Sequence, residues 1–308
     1  MKILSVRRQC GAIVKKLVHP GKAFTLFKLI RKKTDSPRSS RDLQLELYSK
    51  ILPSGFLNYG YFAEPDVSPE SLSLDDIRAA QVKYGELIVS HITDSESPVL
   101  DAGCGMGGLI GLLLKNNMTP IGLTPDEYQI KHLEKKFPRI TLLQTKFENI
   151  PGEHYAHFFG TVVMAESLQY MSLEKTAPVV AAILKNKGTW IVTDYFQISP
   201  AKHDSGHPWE DFAGAIKQHG FKVIFQKDIT CHVLPTLAYL NMWGANLGRP
   251  LLDFVQNRFK RKHPALSYLL AETIEDVTTS IHDHLDIINP DIFKKEKSYR
   301  LLVLQKKQ

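Results

Sequence analysis

The sequence is poor in cysteine and lacks long apolar runs. Its three cysteines, Cys10, Cys104 and Cys231, are odd in number and far apart. They indicate neither a disulfide framework nor a zinc-ligand spacing, and they favour a reducing compartment. No apolar run approaches the roughly 18 residues that a membrane-spanning helix needs. We therefore expect a cytoplasmic protein that contacts a membrane peripherally if at all.

Acidic residues are missing from the first 34 positions, which hold ten Lys or Arg. The whole chain has 39 basic and 32 acidic residues, so the remainder has 29 basic residues and a net charge of −3. This net charge disfavours nucleic-acid binding through the main body, because such binding rests on phosphate neutralisation by a basic face. Apolar residues recur three or four apart in residues 1–34, which predicts basic amphipathic helices. Membrane contact, contact with another subunit, docking on the protein's own body and a transit peptide all fit this pattern.

Glycine is concentrated where one apolar run ends, in the sequence VLDAGCGMGG at 99–108. Asp101 ends the predicted strand, and Gly103, Gly105 and Gly107 form the turn before a predicted helix. Glycine permits positive φ angles and has no Cβ, so the backbone of such a turn can approach a ligand closely. A dinucleotide site and an S-adenosylmethionine site both fit. Gly108 satisfies the dinucleotide spacing, so this turn alone does not separate them.

The following strand distinguishes an S-adenosylmethionine site from a dinucleotide site, because it ends without the acid that would bind a dinucleotide ribose. It runs into the sequence TPDEYQ at 124–129. Together the two turns resemble the S-adenosylmethionine-dependent methyltransferases, in particular the branch of cyclopropane fatty acid synthases, tocopherol methyltransferases and terpene-diphosphate C-methyltransferases. Ordered matches extend from near Leu57 to near Trp243. The resemblance implies a Rossmann-like α/β fold with a seven-stranded sheet, helices on both faces, and S-adenosyl-L-methionine as cofactor.

The resemblance also implies which residues hold that cofactor. Asp101 would accept hydrogen bonds from turn amides or from the cofactor ammonium group, and Thr124 and Gln129 would bind its ribose. Lys146 stands where related proteins have an adenine-binding acid, so the adenine contacts follow the family pattern less closely. The predicted cofactor-binding residues are Asn58, Tyr59, Tyr61, Asp101, Gly103, Cys104, Gly105, Gly107, Thr124, Gln129, Phe147 and Glu148.

Two residues are predicted to act in catalysis. Glu166 follows an apolar strand, and burial there would raise its pKa and make it a competent base. The terpene-diphosphate C-methyltransferases place a similar acid there to take up a proton, although a purely structural acid remains an alternative. Ser167 and Leu168 replace the Glu-His arrangement of cyclopropane synthases, which disfavours cyclopropanation. His207 is a second possible base on the acceptor side. The remaining histidines form no complete cluster, and no metal site is predicted.

Apolar strands and helical segments alternate along the middle of the chain, which predicts a parallel sheet. We divide the chain into an N-terminal extension with its linker (1–41), a cofactor-binding core (42–230), a helical lid over the acceptor pocket (231–298) and a last strand (299–308). The predicted acceptor is a small hydrophobic molecule. Carbon methylation of an isoprenoid or its diphosphate, methylation of oxygen or nitrogen in a specialised metabolite, and a non-catalytic membrane- or subunit-associated protein are the alternatives.

Overall fold

A computed structural model describes residues 54–199 and 205–306, with only the backbone described at 280–282 and 284. The predicted N-terminal extension lies outside these residues, so its proposed contacts stay predictions. The described chain divides into two compact units. The described part of the larger unit comprises residues 54–199, 205–241 and 287–306, and the described part of the smaller unit is Met242–Asp286. No described helix is long and apolar enough to cross a membrane.

A sheet of eight strands forms the centre of the larger unit, with the order β3-β2-β1-β4-β5-β8-β7 and with β6 paired to β5. All pairs are parallel except those of β8, which runs antiparallel to β5 and β7. The strands are β1 Val99–Ala102, β2 Pro120–Leu123, β3 Thr141–Leu143, β4 Phe159–Ala165, β5 Leu184–Gln197, β6 His207–Pro208, β7 Phe221–Asp228 and β8 Lys297–Lys306.

The sheet confirms the predicted α/β class and differs from the prediction by one strand. The additional strand is β6, whose two residues pair with Phe196 and Gln197 at the end of β5. Two residues carry no alternation of polar and apolar side chains, so periodicity in the sequence cannot reveal such a strand.

Alternating side chains of the central strands build a core on each face of the sheet. Leu100, Val162 and Trp190 belong to one buried cluster. Their strand neighbours, such as Val99 and Val163, belong to the cluster on the opposite face. Both faces are therefore covered, as expected for parallel strands that are apolar throughout.

Helices cover this sheet and build the smaller unit. The first described helix begins with a capping box, in which Ser73 and Asp76 satisfy each other's backbone amides. In the larger unit the helices are Leu74–Val89, Gly108–Lys115, Glu127–Lys136, Leu173–Ile183, Trp209–Gln218, Thr230–Trp243 and Pro290–Glu296. The smaller unit contains a π-helical turn at Gly244–Gly248 and the helices Arg249–Lys262, Pro264–Leu269 and Ala271–Ile287. Its role as a lid stays a prediction.

Candidate functional site

The glycine turn after β1 has one position where the backbone faces free space. Gly103, Gly105 and Gly107 all have positive φ angles, of 89°, 54° and 80°. A Cβ at Gly103 would lie 2.4 Å from the Ser167 side chain, and one at Gly107 would lie 2.5 Å from Leu133. A Cβ at Gly105 would meet nothing closer than Leu57, at 3.7 Å. The outer two glycines thus allow close packing of the protein, whereas Gly105 leaves room for a ligand.

Asp101 supplies a buried polar atom beside this turn. Its side chain is 2% exposed, and its Oδ2 has no hydrogen-bond partner among the described residues. Burial raises the pKa of this carboxyl group to about 7. A buried acceptor without a donor is uncommon in proteins, so Asp101 is suited to a ligand that brings one. Cys104 is also buried and packs with Ile110 and Leu133, and burial raises the pKa of its thiol.

The turn after β2 brings together the two side chains predicted to bind ribose. Thr124 Oγ1 donates a hydrogen bond of 2.6 Å to Gln129 Oε1. Asp126 caps the following helix by accepting from the Gln129 amide at 2.9 Å. The turn is therefore fixed by its own hydrogen bonds, and it presents a hydroxyl and an amide side by side.

The two residues predicted to lie beside adenine have structural contacts. Phe147 is 1% exposed and belongs to the core on one face of the sheet. Glu148 Oε1 accepts a hydrogen bond of 3.2 Å from the Ser172 amide, at the start of the helix Leu173–Ile183. Their predicted role toward adenine has no support in these contacts and stays a prediction.

The segment predicted to cover the cofactor is attached to the core by different partners at each residue. Asn58 Oδ1 accepts from the Gly60 amide at 2.9 Å and forms a local turn. The Tyr59 amide donates to Glu166 Oε1 at 3.0 Å. Tyr61 stacks on His232 and accepts a hydrogen bond from Lys227 through its hydroxyl group. Tyr59 is thus the member of this segment that reaches the predicted base.

Glu166 is held in a strained conformation by hydrogen bonds to one of its carboxyl oxygens. Its φ angle is 53°, which is unusual for a residue with a side chain and is typical of functional sites. Besides the Tyr59 amide, Oε1 accepts a hydrogen bond of 2.6 Å from the Tyr299 hydroxyl. The structure shows no hydrogen bond from a described residue to Oε2. Burial raises the pKa of the carboxyl group to about 7, and the hydrogen bonds from Tyr299 and Tyr59 oppose that rise.

Two buried tyrosines continue the network behind Glu166. The Tyr299 hydroxyl lies 2.9 Å from the hydroxyl of Tyr84. Tyr84 in turn donates to the Thr193 carbonyl at 3.1 Å. Both rings are almost completely buried. Sequence analysis missed both tyrosines, because neither lies in a motif and sheet pairing brings Tyr299 to Glu166.

A second buried acid, Asp194, lies on β5 next to Glu166 and was also missed. The register of β4 and β5 places Ala165 opposite Thr193, so the next residues, Glu166 and Asp194, are neighbours. Asp194 is fully buried and accepts hydrogen bonds from the amides of Gln169 and Tyr195. Burial and the nearby charge of Glu166 raise its pKa to about 8. An acid inside the apolar run IVTDYF at 191–196 was the available signal.

His207 lies on β6, close to the loop that follows Glu166. Its Nε2 is 3.0 Å from the Leu168 carbonyl oxygen. Because a carbonyl oxygen only accepts, Nε2 must carry the proton, and Nδ1 is the nitrogen that can act as a base. In residues 54–199 and 205–306, no three His, Cys, Asp or Glu side chains form a group that could hold a metal ion.

Comparison with protein families identifies the part of the chain that carries the glycine turn. A family model described as a methyltransferase domain matches residues 99–188. The chain contains a methyltransferase domain. This domain includes both turns and Glu166, and it confirms the resemblance to the S-adenosylmethionine-dependent methyltransferases stated from the sequence.

Individual relatives of the methyltransferase domain are distant. An uncharacterized methyltransferase of Oceanobacillus iheyensis is 34% identical over 68 residues, which are 22% of this chain and 32% of that protein. The match thus spans about a third of that relative's length.

Solved structures show how widely the fold is shared. The geranyl diphosphate C-methyltransferase from Streptomyces coelicolor A3(2), solved with Mg²⁺, geranyl-S-thiolodiphosphate and S-adenosyl-L-homocysteine, has a TM-score of 0.62 at 13% identity. The alignment covers 86% of this chain and 92% of that one. The [4+2]-cyclase SpnF has a TM-score of 0.59 at 17% identity, over 87% and 94% of the two chains. Both likenesses concern the fold alone.

Proposed function

We propose that this chain is an S-adenosylmethionine-dependent methyltransferase that acts on a small, largely apolar acceptor. The observation that carries the proposal is the open backbone at Gly105 in the turn that follows Asp101, whose buried Oδ2 has no hydrogen-bond partner among the described residues. The same fold also belongs to a cyclase. The proposal therefore rests on the residues of the site rather than on the fold.

These residues suit the cofactor's polar groups. Asp101 offers a buried acceptor to an ammonium or hydroxyl donor, and Gly105 permits close approach of the backbone. The side chains of Thr124 and Gln129 lie where they can exchange their mutual hydrogen bond for bonds to a pair of ribose hydroxyls. When bound, S-adenosylmethionine supplies a methyl group that is already activated. The protein then has to align the acceptor and exclude water.

Glu166 suits methylation of a carbon atom. Its Oε1 is fixed by the Tyr59 amide and the Tyr299 hydroxyl, while Oε2 has no partner among the described residues. With a pKa near 7, the carboxylate is ionised at slightly alkaline pH and still basic enough to accept a proton. After methylation of an alkene carbon, a C–H bond must break, and Oε2 is the atom that would take the proton. An isoprenoid or its diphosphate is the acceptor that we propose for this reaction, and a geranyl diphosphate C-methyltransferase is among the proteins that share the fold.

Oxygen or nitrogen methylation is the second candidate. There Glu166, or Nδ1 of His207, would remove a proton from the acceptor hydroxyl or amine before or during transfer. The partner-free Oε2 suits this reaction equally well, so the identity of the product decides between the two.

A pair of glycine variants tests the cofactor site. Gly105→Ala adds a Cβ for which the protein itself has space, although the positive φ strains the new residue. We expect affinity for S-adenosylmethionine, measured by calorimetry, to fall by at least about tenfold, because the Cβ enters the space of the cofactor. Gly220→Ala is the matched control, because Gly220 has a similar φ of 73° and no neighbour within 4 Å of an added Cβ. Equal affinities of the two folded variants would place the cofactor elsewhere.

The acceptor is found by supplying the wild-type protein with methyl-labelled donor and metabolite fractions. Label is expected in one apolar product with the mass gain of one methylene. The position of the new methyl group then separates carbon from heteroatom transfer. Intact donor binding without label in any fraction would favour the non-catalytic alternative.

A further inference from the structure

Exposed apolar side chains are concentrated in the smaller unit. Among the described residues, 18 large apolar side chains are exposed, and eight of them fall within residues 247–277. Such a concentration differs from the scattered apolar residues of ordinary surfaces and marks an interaction site. Three of the eight lie on the helix Arg249–Lys262, which we call the basic helix.

The basic helix presents these side chains on a single face. Leu251, Phe254 and Val255 are 56%, 58% and 53% exposed and follow the i, i+3, i+4 spacing of one helical face. Arg258 and Lys262 continue that face by one and two turns, and both are exposed.

A neighbouring face of the basic helix, roughly 100° round the helix axis from the apolar face, packs within the smaller unit. Leu252, Gln256 and Phe259 are less exposed than the residues of the apolar face. Gln256 Nε2 donates a hydrogen bond of 2.7 Å to Thr278 Oγ1 on the helix Ala271–Ile287. The orientation of the basic helix is therefore fixed by these contacts, and its exposed apolar face takes no part in them.

The basic helix also carries a strong excess of positive charge. It contains five Lys or Arg and one acid, Asp253, and three of the basic residues lie in its last turn. Within the described part of the chain, Arg258 and Lys262 form no ion pair. Uncompensated positive charges that flank an apolar face are the arrangement by which amphipathic helices bind anionic bilayers.

We propose that the exposed face of the basic helix binds the surface of an anionic phospholipid bilayer. The apolar trio would enter the boundary between headgroups and acyl chains, and Arg258 and Lys262 would lie against lipid phosphates. Tyr268, which is 84% exposed and lies on the next short helix, has the amphipathic ring typical of that boundary. A second copy of the chain is a poorer occupant, because two such helices would bring like charges together.

Sedimentation of the full-length protein with vesicles tests this surface. The probes are vesicles of phosphatidylcholine containing about one third phosphatidylserine, and vesicles of phosphatidylcholine alone. We expect binding to the anionic vesicles only. Combined Leu251→Ser, Phe254→Ser and Val255→Ser substitutions should weaken it at least about tenfold, since the apolar area that enters the bilayer is lost.

A matched control removes three exposed apolar side chains of the larger unit, by Leu74→Ser, Leu114→Ser and Ile198→Ser, and should leave vesicle binding unchanged. Arg258→Glu with Lys262→Glu should abolish binding, whereas Arg258→Lys with Lys262→Arg should retain it. Circular dichroism verifies that each variant is folded.

Three results would overturn the proposal. Unchanged vesicle binding of the folded Ser variant would assign the binding to residues 1–34 instead. Equal binding to neutral vesicles would remove the role of charge. A fall in light-scattering mass on Ser substitution, without vesicles present, would make the face a contact between copies. Donor affinity should stay unchanged in every variant, so failure here is distinguishable from failure of the proposed function.

Discussion

The protonation of Glu166 depends on opposing influences, of which burial is the larger. Burial disfavours the ionised carboxylate, while the Tyr59 amide and the Tyr299 hydroxyl favour it. The result is a pKa near 7, within the range where an acid can both release and accept a proton. Removal of a single hydrogen bond should therefore change the fraction of Glu166 that is ionised at neutral pH.

Glu166→Gln separates a role as base from a role in ordering the site. If Glu166 is the base, the variant should bind S-adenosylmethionine normally, because the amide keeps the shape and an acceptor oxygen. Turnover should fall about 100-fold or more. Calorimetry and single-turnover assays on the same preparation measure the two effects. Parallel losses of affinity and rate would assign Glu166 a structural role, and normal turnover would eliminate the base.

Tyr299→Phe should move the pH profile of methyl transfer to higher pH by roughly one unit. The lost hydrogen bond stabilises the ionised carboxylate, so its removal raises the pKa of Glu166, and a base must be ionised to work. Tyr84→Phe is the matched control, since Tyr84 contacts Tyr299 rather than Glu166. Identical profiles for the two variants would show that Tyr299 only fills space.

Single residues show where sequence-based prediction reaches its limit. Glu166 was predicted because an acid directly after an apolar strand is visible in the sequence. Its partner Tyr299 lies 133 positions away on an antiparallel strand, and nothing local marks it. Asp194 reaches the site through the register of β4 and β5. Neighbours set by strand pairing are therefore the part of this site that sequence alone does not provide.

The turn that joins β2 to its helix offers two polar residues with separate roles. Asp126→Ala removes the helix cap and should cost about 1 kcal/mol of stability, with donor affinity nearly unchanged. Gln129→Ala should weaken donor binding and leave the stability almost intact, because the cap remains. Urea unfolding and calorimetry on both variants measure the two effects. Equal losses of affinity would mean that the ribose-binding residues are placed out of register.

Strands and helices of the core were predictable because their apolar patterns are long enough to show a period. The boundaries of these strands and helices were less predictable. β5 begins at Leu184, directly after the helix Leu173–Ile183. The residues that follow Leu184 are polar and belong to no apolar run, so the sequence does not mark this start. The glycine turn was predicted as one feature. Its glycines differ in what surrounds them, and that difference appears only when Ser167 and Leu133 are in place.

The whole molecule should become less stable as the pH rises. Asp101, Glu166 and Asp194 have pKa values raised to about 7, 7 and 8, above their values in an unfolded chain. Between the pKa of each acid in the unfolded chain and its raised pKa in the folded protein, the folded state holds more protons than the unfolded state. Rising pH therefore favours unfolding. Without cofactor, we expect the free energy of unfolding to fall by a few kcal/mol from about pH 5 to about pH 8, measured in urea.

Asp194→Asn provides the control for this dependence. The substitution removes one of three titrating groups, so the slope of stability against pH should decrease by about one third. The exposed Asp75, which lies on the first described helix, supplies a comparison variant, Asp75→Asn, that should leave the slope unchanged. Stability that does not depend on pH in the wild-type protein would contradict the raised pKa values of the three buried acids. An identical slope in the wild type and both variants would contradict the raised pKa of Asp194.

The antiparallel strand β8 has a consequence for biosynthesis. β7 joins the sheet only through β8, and β5 lacks its neighbour on that side until β8 is in place. The ribosome synthesises β8 after the whole smaller unit, so one edge of β5 stays unpaired in the nascent chain until then. Unpaired edges recruit other strands, which makes this interval the time when chaperone protection matters most. The hydrogen bond from the Tyr299 hydroxyl to Glu166 forms only when β8 has paired with β5. The site is therefore assembled together with the closure of the sheet.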